Sequence, residues 1–232
     1  MQADHYDGFA ASYAADNETN LLNAYYERPA MLALAGDVAG RRVLDVGCGA
    51  GPLSAALAER GAITTGMDSS PAMLALARQR LGDRSALAVG DLSRPLPFRS
   101  GSFDVVVASL VLHYLKDWWA PLAELRRVLV DGGRMLLSVN HPMLYPALNP
   151  GSDYFAITEW TDEYTFGETT TQLTFWHRPL QAMAADFATA GLRIVTISEP
   201  PIAADTPAAL RPPELNGRSS FISFLFFALE AA

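Results

Sequence analysis

Short apolar runs alternate with longer amphipathic ones from Arg42 onward. "RVLDV" (42–46), "AITTGMD" (62–68), "ALAVGD" (86–91), "FDVVVASLVL" (103–112) and "RMLLSVN" (134–140) are apolar-dominated and β-branched in part. Runs of this length without a clear polar face belong to strands covered on both sides. Between them, "GPLSAALAER", "SPAMLALARQRL" and "WWAPLAELRRVLV" read as helices. The punctuation agrees. Ser70 and Pro71 open the second of these as cap and first-turn residue, Gly61 and Gly82 close the first two, and "DGG" (131–133) closes the third. Strands separated by helices call for right-handed crossovers and a parallel sheet.

The texture changes after Asn140. "HPMLYPALNPG" carries Pro142, Pro146 and Pro150 and reads as an irregular connection. Ile157 to Trp176 places threonines and aromatics on either side of "GE", the pattern of a hairpin. "RPLQAMAADFATAG" returns to helix, "LRIVTIS" to strand, and a proline-rich loop leads to "FISFLFFAL", a buried strand too short to cross a bilayer. No internal repeat is present. The expected organisation is one α/β domain over residues 1–232: an N-terminal helical segment (1–40), a core (41–140), an inserted cap (141–176) and a C-terminal part of the sheet (177–232).

Composition narrows the partners. Half of the 232 residues are hydrophobic and 18% are charged, enough for a sizeable core, and the formal net charge is −8. An acidic chain gains no general attraction to nucleic acid or an anionic membrane, so neither is expected as a partner; a small molecule is. Cys48 is the single cysteine, so no internal disulfide forms, and no metal site is spaced around it. "MQADHYDGFA" lacks the basic and apolar regions of a secretory signal. The expectation is a cytoplasmic monomer or homodimer.

The chemistry concentrates in "VLDVGCGAGPLS". Gly47, Gly49 and Gly51 permit a tight turn and close approach by a ligand, and the turn ends at a helix N-terminus with free N–H groups. A dinucleotide fingerprint would need a third spaced glycine where Pro52 stands. Asp45, two residues before Gly47, would repel a pyrophosphate but suits an ammonium group. A nicotinamide-dependent oxidoreductase is therefore the weaker alternative. Cys48 reads as a small packing residue in the turn.

This motif resembles the first motif of the class I S-adenosylmethionine-dependent methyltransferases, and the resemblance runs through residues 40–140. It implies a Rossmann-like sheet of seven strands, mostly parallel with the last antiparallel, helices on both faces and a cap inserted after the fifth strand. It also implies S-adenosyl-L-methionine as cofactor and S-adenosyl-L-homocysteine as product. Asp68, with Ser69 beside it in "TGMDSS", matches the carboxylate that holds both ribose hydroxyls. Asp91 and Leu92 in "GDLSRPLPF" match the adenine contacts, and Ser109 and Leu110 would offer backbone groups near the methyl-bearing end. In related enzymes an N-terminal segment folds over the cofactor, which casts Tyr13 toward the carboxylate end and Arg28 as a partner for that carboxylate. The C-terminal layout is similar to aromatic C-methyltransferases of bacterial secondary metabolism.

Four histidines are candidates for more. His113, at i+4 from Ser109, would face the cofactor if the turn is helical, either as a base for a phenolic substrate or as packing. His177 either faces the pocket or caps the following helix, and His141 stands where strands of a parallel sheet end and ligands bind. His5 reads as mobile. The cap aromatics Tyr154, Phe155, Trp160, Tyr164, Phe166, Phe175 and Trp176, with Met143 and Met183, would suit an apolar or aromatic acceptor. The expected function is methyl transfer to the O, C or N atom of such a metabolite. A cofactor-binding protein that keeps the fold without turnover is the non-enzymatic alternative.

Overall fold

The structure, a computed structural model, describes residues 4–232, and side chains from Tyr6 onward apart from Glu214. The His5 side chain lies outside that description. In chain order the strands are β1 (Arg42–Val46), β2 (Ile63–Asp68), β3 (Ser85–Val89), β4 (Phe103–Ser109), β5 (Leu129–Asn140), β6 (Thr158–Phe166), β7 (Thr169–His177), β8 (Leu192–Ser198) and β9 (Phe224–Ala231). Among the described residues seven of them form one sheet, ordered β3-β2-β1-β4-β5-β9-β8. The pairings from β3 through β5 are parallel, and β9 runs antiparallel to both β5 and β8. β6 and β7 pair as a separate hairpin turned at Gly167 and Glu168. This is the Rossmann-like methyltransferase architecture with an antiparallel last strand.

The helices are α1 (Asp4–Asp7), α2 (Ala10–Asn17), α3 (Arg28–Ala35), α4 (Pro52–Glu59), α5 (Pro71–Leu81), α6 (Trp119–Val128), α7 (Leu144–Leu148) and α8 (Leu180–Thr189). Period-two alternation sends neighbouring strand residues to opposite cores. Val43, Val105, Val107 and Phe226 pack with α3 and α4, while Leu44, Val106, Ala108 and Phe227 pack with α6 and α8. Both faces are covered, which explains the apolar runs without a polar face.

Three local features depart from the sequence pattern. "DGG" does not separate helix from strand: β5 already begins at Leu129, and its register against β4 jumps from Phe103↔Leu129 to Val105↔Arg134, so Val130–Gly133 form a bulge. The proline-rich connection contains α7. Pro29 lies in the first turn of α3, yet the helical chain starts earlier. A π-helical turn, Asn23–Glu27, leads directly into α3. Proline has no N–H to donate to the carbonyl four residues back, which belongs to Tyr25. That carbonyl instead accepts the Ala203 N–H at 2.6 Å, tying the turn to the proline-rich loop.

Candidate active site

The chain leaves β1 toward β2 and leaves β4 toward β5, in opposite directions across the sheet. The crevice at the ends of β1 and β4 is thus a topological switch point, where open α/β sheets bind ligands. A cleft occupies it, walled by the glycine turn, by Asp68 and Met73, by Ser109–Val111 with Tyr114, and by N-terminal residues including Tyr6, Tyr13, Glu27 and Arg28.

The turn is held open by backbone geometry. Gly47, Gly49 and Gly51 have φ of 69°, 54° and 77°. The Gly47 and Cys48 N–H groups both donate to the Met67 carbonyl, at 2.7 and 3.1 Å. A Cβ on Gly47 would sit 2.8 Å from Val111 Cγ2, so this glycine is required twice, for its φ and for the approach of the β4 loop. Cys48 is buried, and a Cβ on Gly66 would sit 2.9 Å from its Sγ. Burial pushes the thiol well above its usual range, so it is an unreactive packing group.

Carboxylates dominate the charge. Glu18, Glu27, Asp45 and Asp68 line the cleft, against the single guanidinium of Arg28. Asp68, held by the Gly49 and Ser70 N–H groups at 2.9 and 2.8 Å, fixes the turn to the start of α5. Asp45 is 1% exposed; its Oδ2 accepts the Ser54 hydroxyl at 2.6 Å, and its Oδ1 has no hydrogen-bond partner among the described residues. Burial, aided by the charges of Glu27 and Asp68, raises Asp45 to about 7. An unpartnered buried carboxylate oxygen in an acidic cleft fits a cationic ligand group.

Asp45 also gives the free chain a pH signature. Its carboxyl holds a proton more tightly folded than unfolded, so its stabilising contribution is full below the ordinary carboxylate range and is lost as pH rises through about 7. The melting temperature of the ligand-free chain should therefore fall between about pH 4 and pH 7 and level off above that, and an Asp45→Asn variant should show a flatter profile. Equal profiles in a thermal-melt series would contradict this placement of the charge.

The N-terminal segment closes the cleft. Asp7 accepts hydrogen bonds from the Ser70 hydroxyl and, at 3.3 Å, from the Ala72 N–H at the start of α5. The Tyr6 and Tyr114 hydroxyls are paired across the opening. Burial pushes the Tyr13 phenol up to about 12 and those of Tyr6 and Tyr114 well above their usual range, so all three stay neutral. Arg28 donates to the Asn17 carbonyl and side-chain oxygens at 2.9 and 2.7 Å.

Of the residues singled out in the sequence, Tyr13, Arg28, Asp45, Gly47, Cys48, Gly49, Asp68, Ser109 and Leu110 converge on this cleft; Ser69, Asp91 and Leu92 are outside its lining. The Asp91 carboxylate accepts the Ser93 N–H at 2.8 Å within its own turn.

The histidines stand elsewhere. Ser109 and His113 do not share a face, because Leu110 has a φ of 50° and turns the chain before a short 3-10 turn at Leu112–Tyr114. His113 is 4% exposed, packed against Tyr114 and Phe175, and its Nδ1 accepts the Asn140 N–H at 3.1 Å. A neutral ring that accepts at Nδ1 carries its proton on Nε2 and has no lone pair to offer. Burial lowers its pKa to about 3, which keeps it neutral. His177 Nε2 pairs with the Tyr154 carbonyl at 2.8 Å and its ring stacks on Tyr145. His141 bonds Glu199 at 2.9 Å and accepts the Met143 N–H. The hairpin aromatics likewise turn away from the lining: Trp160, Tyr164, Phe166 and Phe175 pack with Phe9, Tyr6, Tyr13 and Tyr114, Met183 lies in the core, and Phe155 is exposed.

Glu27, like Glu18, Met73 and Tyr114, lines the cleft without having been singled out by the sequence. The signal was a carboxylate within the otherwise apolar and aromatic "AYYERPAML". Among the described residues no group of three His, Cys, Asp or Glu could hold a metal ion, and no helix is long and apolar enough to cross a membrane.

A glycine turn at the switch point, Asp45 near the end of β1, Asp68 at the end of β2 and a closing N-terminal segment make a cleft that suits a cationic ligand. Residues 44–137 match the family described as a methyltransferase domain. Residues 44–137 are thus those of a methyltransferase domain, and the sheet is that of the class I S-adenosylmethionine-dependent methyltransferases, whose cofactor is S-adenosylmethionine. It is 33% identical over 138 residues to a demethylmenaquinone methyltransferase of Tropheryma whipplei, a match covering 57% of this chain and 58% of that one. It is 34% identical over 125 residues to a ubiquinone biosynthesis O-methyltransferase of Pseudomonas aeruginosa, covering 50% and 53%. The chain thus spans a little over half the length of these curated relatives. A crystal structure of an S-adenosylmethionine-dependent methyltransferase from Mesorhizobium loti superposes with a TM-score of 0.67 at 25% identity, over 87% of this chain and 96% of that one.

Proposed function

We propose that this chain transfers a methyl group from S-adenosylmethionine to a small hydroxylated aromatic metabolite. The observation that carries the reading is the unpartnered, buried Asp45 Oδ1 in a cleft whose charged groups are four carboxylates and one guanidinium. The cofactor brings an ammonium, a sulfonium and one carboxylate, and it supplies an electrophilic methyl carbon. Asp45 would hold the ammonium, Arg28 the carboxylate and Asp68 the two ribose hydroxyls, while Ser109 and Leu110 would border the sulfonium end. Asp91 and Leu92 would meet the adenine, and Ser69 would join Asp68 in holding the cofactor. Tyr6, Tyr13 and Tyr114 offer neutral aromatic walls to the acceptor. The names of the two curated relatives, both acting in quinone chemistry, favour a phenolic or hydroquinone acceptor.

Displacement at the methyl carbon needs collinear approach, and positioning of that kind supplies roughly 7–11 kcal/mol. The closed N-terminal segment and the neutral phenols exclude water from it. His113 acts as a positioning residue that holds the end of β5 against the turn after β4. Replacing it with phenylalanine should orphan the Asn140 N–H and cost about 1–3 kcal/mol of stability, with cofactor affinity kept; a selective loss of turnover at unchanged stability would restore it as a base.

The reading is tested by incubating the chain with isotopically labelled S-adenosylmethionine and 1,4-naphthohydroquinone, catechol and aniline in turn. Label should enter a hydroxylated acceptor. Bound cofactor with transfer only to aniline would overturn the proposed acceptor class.

A further inference from the structure

We propose that Glu27 is a catalytic residue: it meets the hydroxyl of the aromatic acceptor and takes its proton as the new methyl bond forms. This rests on the methyltransferase reading above and adds a group that the sequence motifs do not assign.

Glu27 is 4% exposed yet lines the cleft. Its Oε1 accepts the Ser109 and Ser138 hydroxyls, each at 2.6 Å. Ser109 ends β4 and Ser138 lies on β5 beside it, so the carboxylate is clamped across the sheet edge. The same Ser138 hydroxyl also accepts the Leu110 N–H at 3.0 Å, which fixes the left-handed residue at the crevice floor. Two donors occupy Oε1, and Oε2 makes no hydrogen bond among the described residues. The oxygen left over belongs to a wall of the cleft.

A merely structural role would not call for a charge. A neutral glutamine or asparagine could accept the two serine hydroxyls without the desolvation penalty of an ion. The cofactor's ammonium already has Asp45 as its counterpart. The residue also sits in the last position of the π-helical turn, a conformation that recurs at functional sites. The charged and titratable groups facing it are Tyr13 from α2, Asp45 from β1 and its neighbour Arg28, whose guanidinium is engaged with Asn17. Burial lifts the Glu27 carboxyl above the ordinary range, and the two serines and Arg28 restrain the rise.

In the step, the acceptor oxygen bonds to the methyl carbon as the sulfur–carbon bond breaks. The electron pair of that bond stays on sulfur, the phenolic proton passes to Glu27 Oε2, and water removes it after product leaves.

The probe is 4-nitrocatechol, whose phenolate absorbs in the visible, titrated into the chain loaded with S-adenosylhomocysteine. A neighbouring carboxylate opposes phenolate formation, so the bound probe should ionise with at least about tenfold lower proton affinity in Glu27→Gln than in the unaltered chain. Tyr13 and Arg28 are common to both chains, whereas Asp45 loses the Glu27 charge and ionises more readily in Glu27→Gln, which opposes the expected fall and so cannot produce it. Transfer of labelled methyl to the probe should fall about 100-fold in Glu27→Gln, with S-adenosylhomocysteine affinity and melting temperature unchanged. Equal ionisation in the two chains, no binding of the probe, or a parallel loss of S-adenosylhomocysteine affinity would overturn the assignment. Failure of the unaltered chain to bind S-adenosylhomocysteine is a different result and would remove the methyltransferase reading itself.

Discussion

Replacing Asp68 with alanine will weaken S-adenosylhomocysteine binding by about 10² to 10⁴-fold, the largest loss expected from any single substitution in the cleft. Each hydrogen bond to a charged group is worth about 1.5–3 kcal/mol, and the ribose offers two donors. At about 1.4 kcal/mol per tenfold, the pair accounts for that range. Asp68 has a second task, because it anchors the N–H groups of Gly49 and Ser70, so its removal also loosens the turn that the adenosine must meet. Asp68→Asn separates the two effects: it keeps an accepting oxygen for one anchor and loses the charge. Isothermal titration of the three chains should rank them unaltered, then Asn, then Ala, and an alanine variant that binds within experimental error of the unaltered chain would refute the ribose assignment.

Gly47→Ala is expected to be the most damaging small substitution for the fold. A side chain at a φ of 69° is strained, and the added Cβ would lie 2.8 Å from Val111 Cγ2 and 3.1 Å from Val111 Cβ. Val111 is β-branched and 4% exposed, so it has little room to move aside. Left-handed strain of about 1–2 kcal/mol adds to overpacking of about 1–3 kcal/mol. At about 2–4 °C per kcal/mol for a chain of this size, the melting temperature should fall by about 4–20 °C. Gly49→Ala is the internal control, because its φ is also positive at 54° but its Cβ would meet nothing within 4 Å. It should lose only the conformational part. Equal losses in scanning calorimetry would mean that Val111 yields, and that the close approach of the β4 loop does not constrain the turn.

The core from Arg42 to Asn140 was legible because its signals are local. Strands covered on both faces leave uninterrupted apolar runs, serine and proline mark helix starts, and glycines with positive φ mark turns. The convergence of Asp45, Asp68, Ser109 and Leu110 on one cleft followed from those elements, since the ends of parallel strands meet at one edge. What could not be read is side-chain direction set by tertiary contact. Leu110 adopts a left-handed φ that no leucine advertises, and it rotates His113 away from the face that helical spacing would give it. Its N–H is held by the Ser138 carbonyl and hydroxyl, on a strand 28 residues away. Pro29 looks like a helix start, yet the carbonyl it leaves free is taken by Ala203, far along the chain. That distant partner permits the π-helical turn and brings Glu27 inward. The aromatic hairpin misled by composition: its rings satisfy one another and the N-terminal helices instead of lining the cleft.

The central claim is that an acidic cleft over the glycine turn holds a cationic adenosyl cofactor. It is tested most directly by titrating the unaltered, folded chain with S-adenosylmethionine and, separately, with a nicotinamide dinucleotide, and reading the heats. The expected result is saturable binding of S-adenosylmethionine with no heat from the dinucleotide; binding of the dinucleotide with none of S-adenosylmethionine would contradict it.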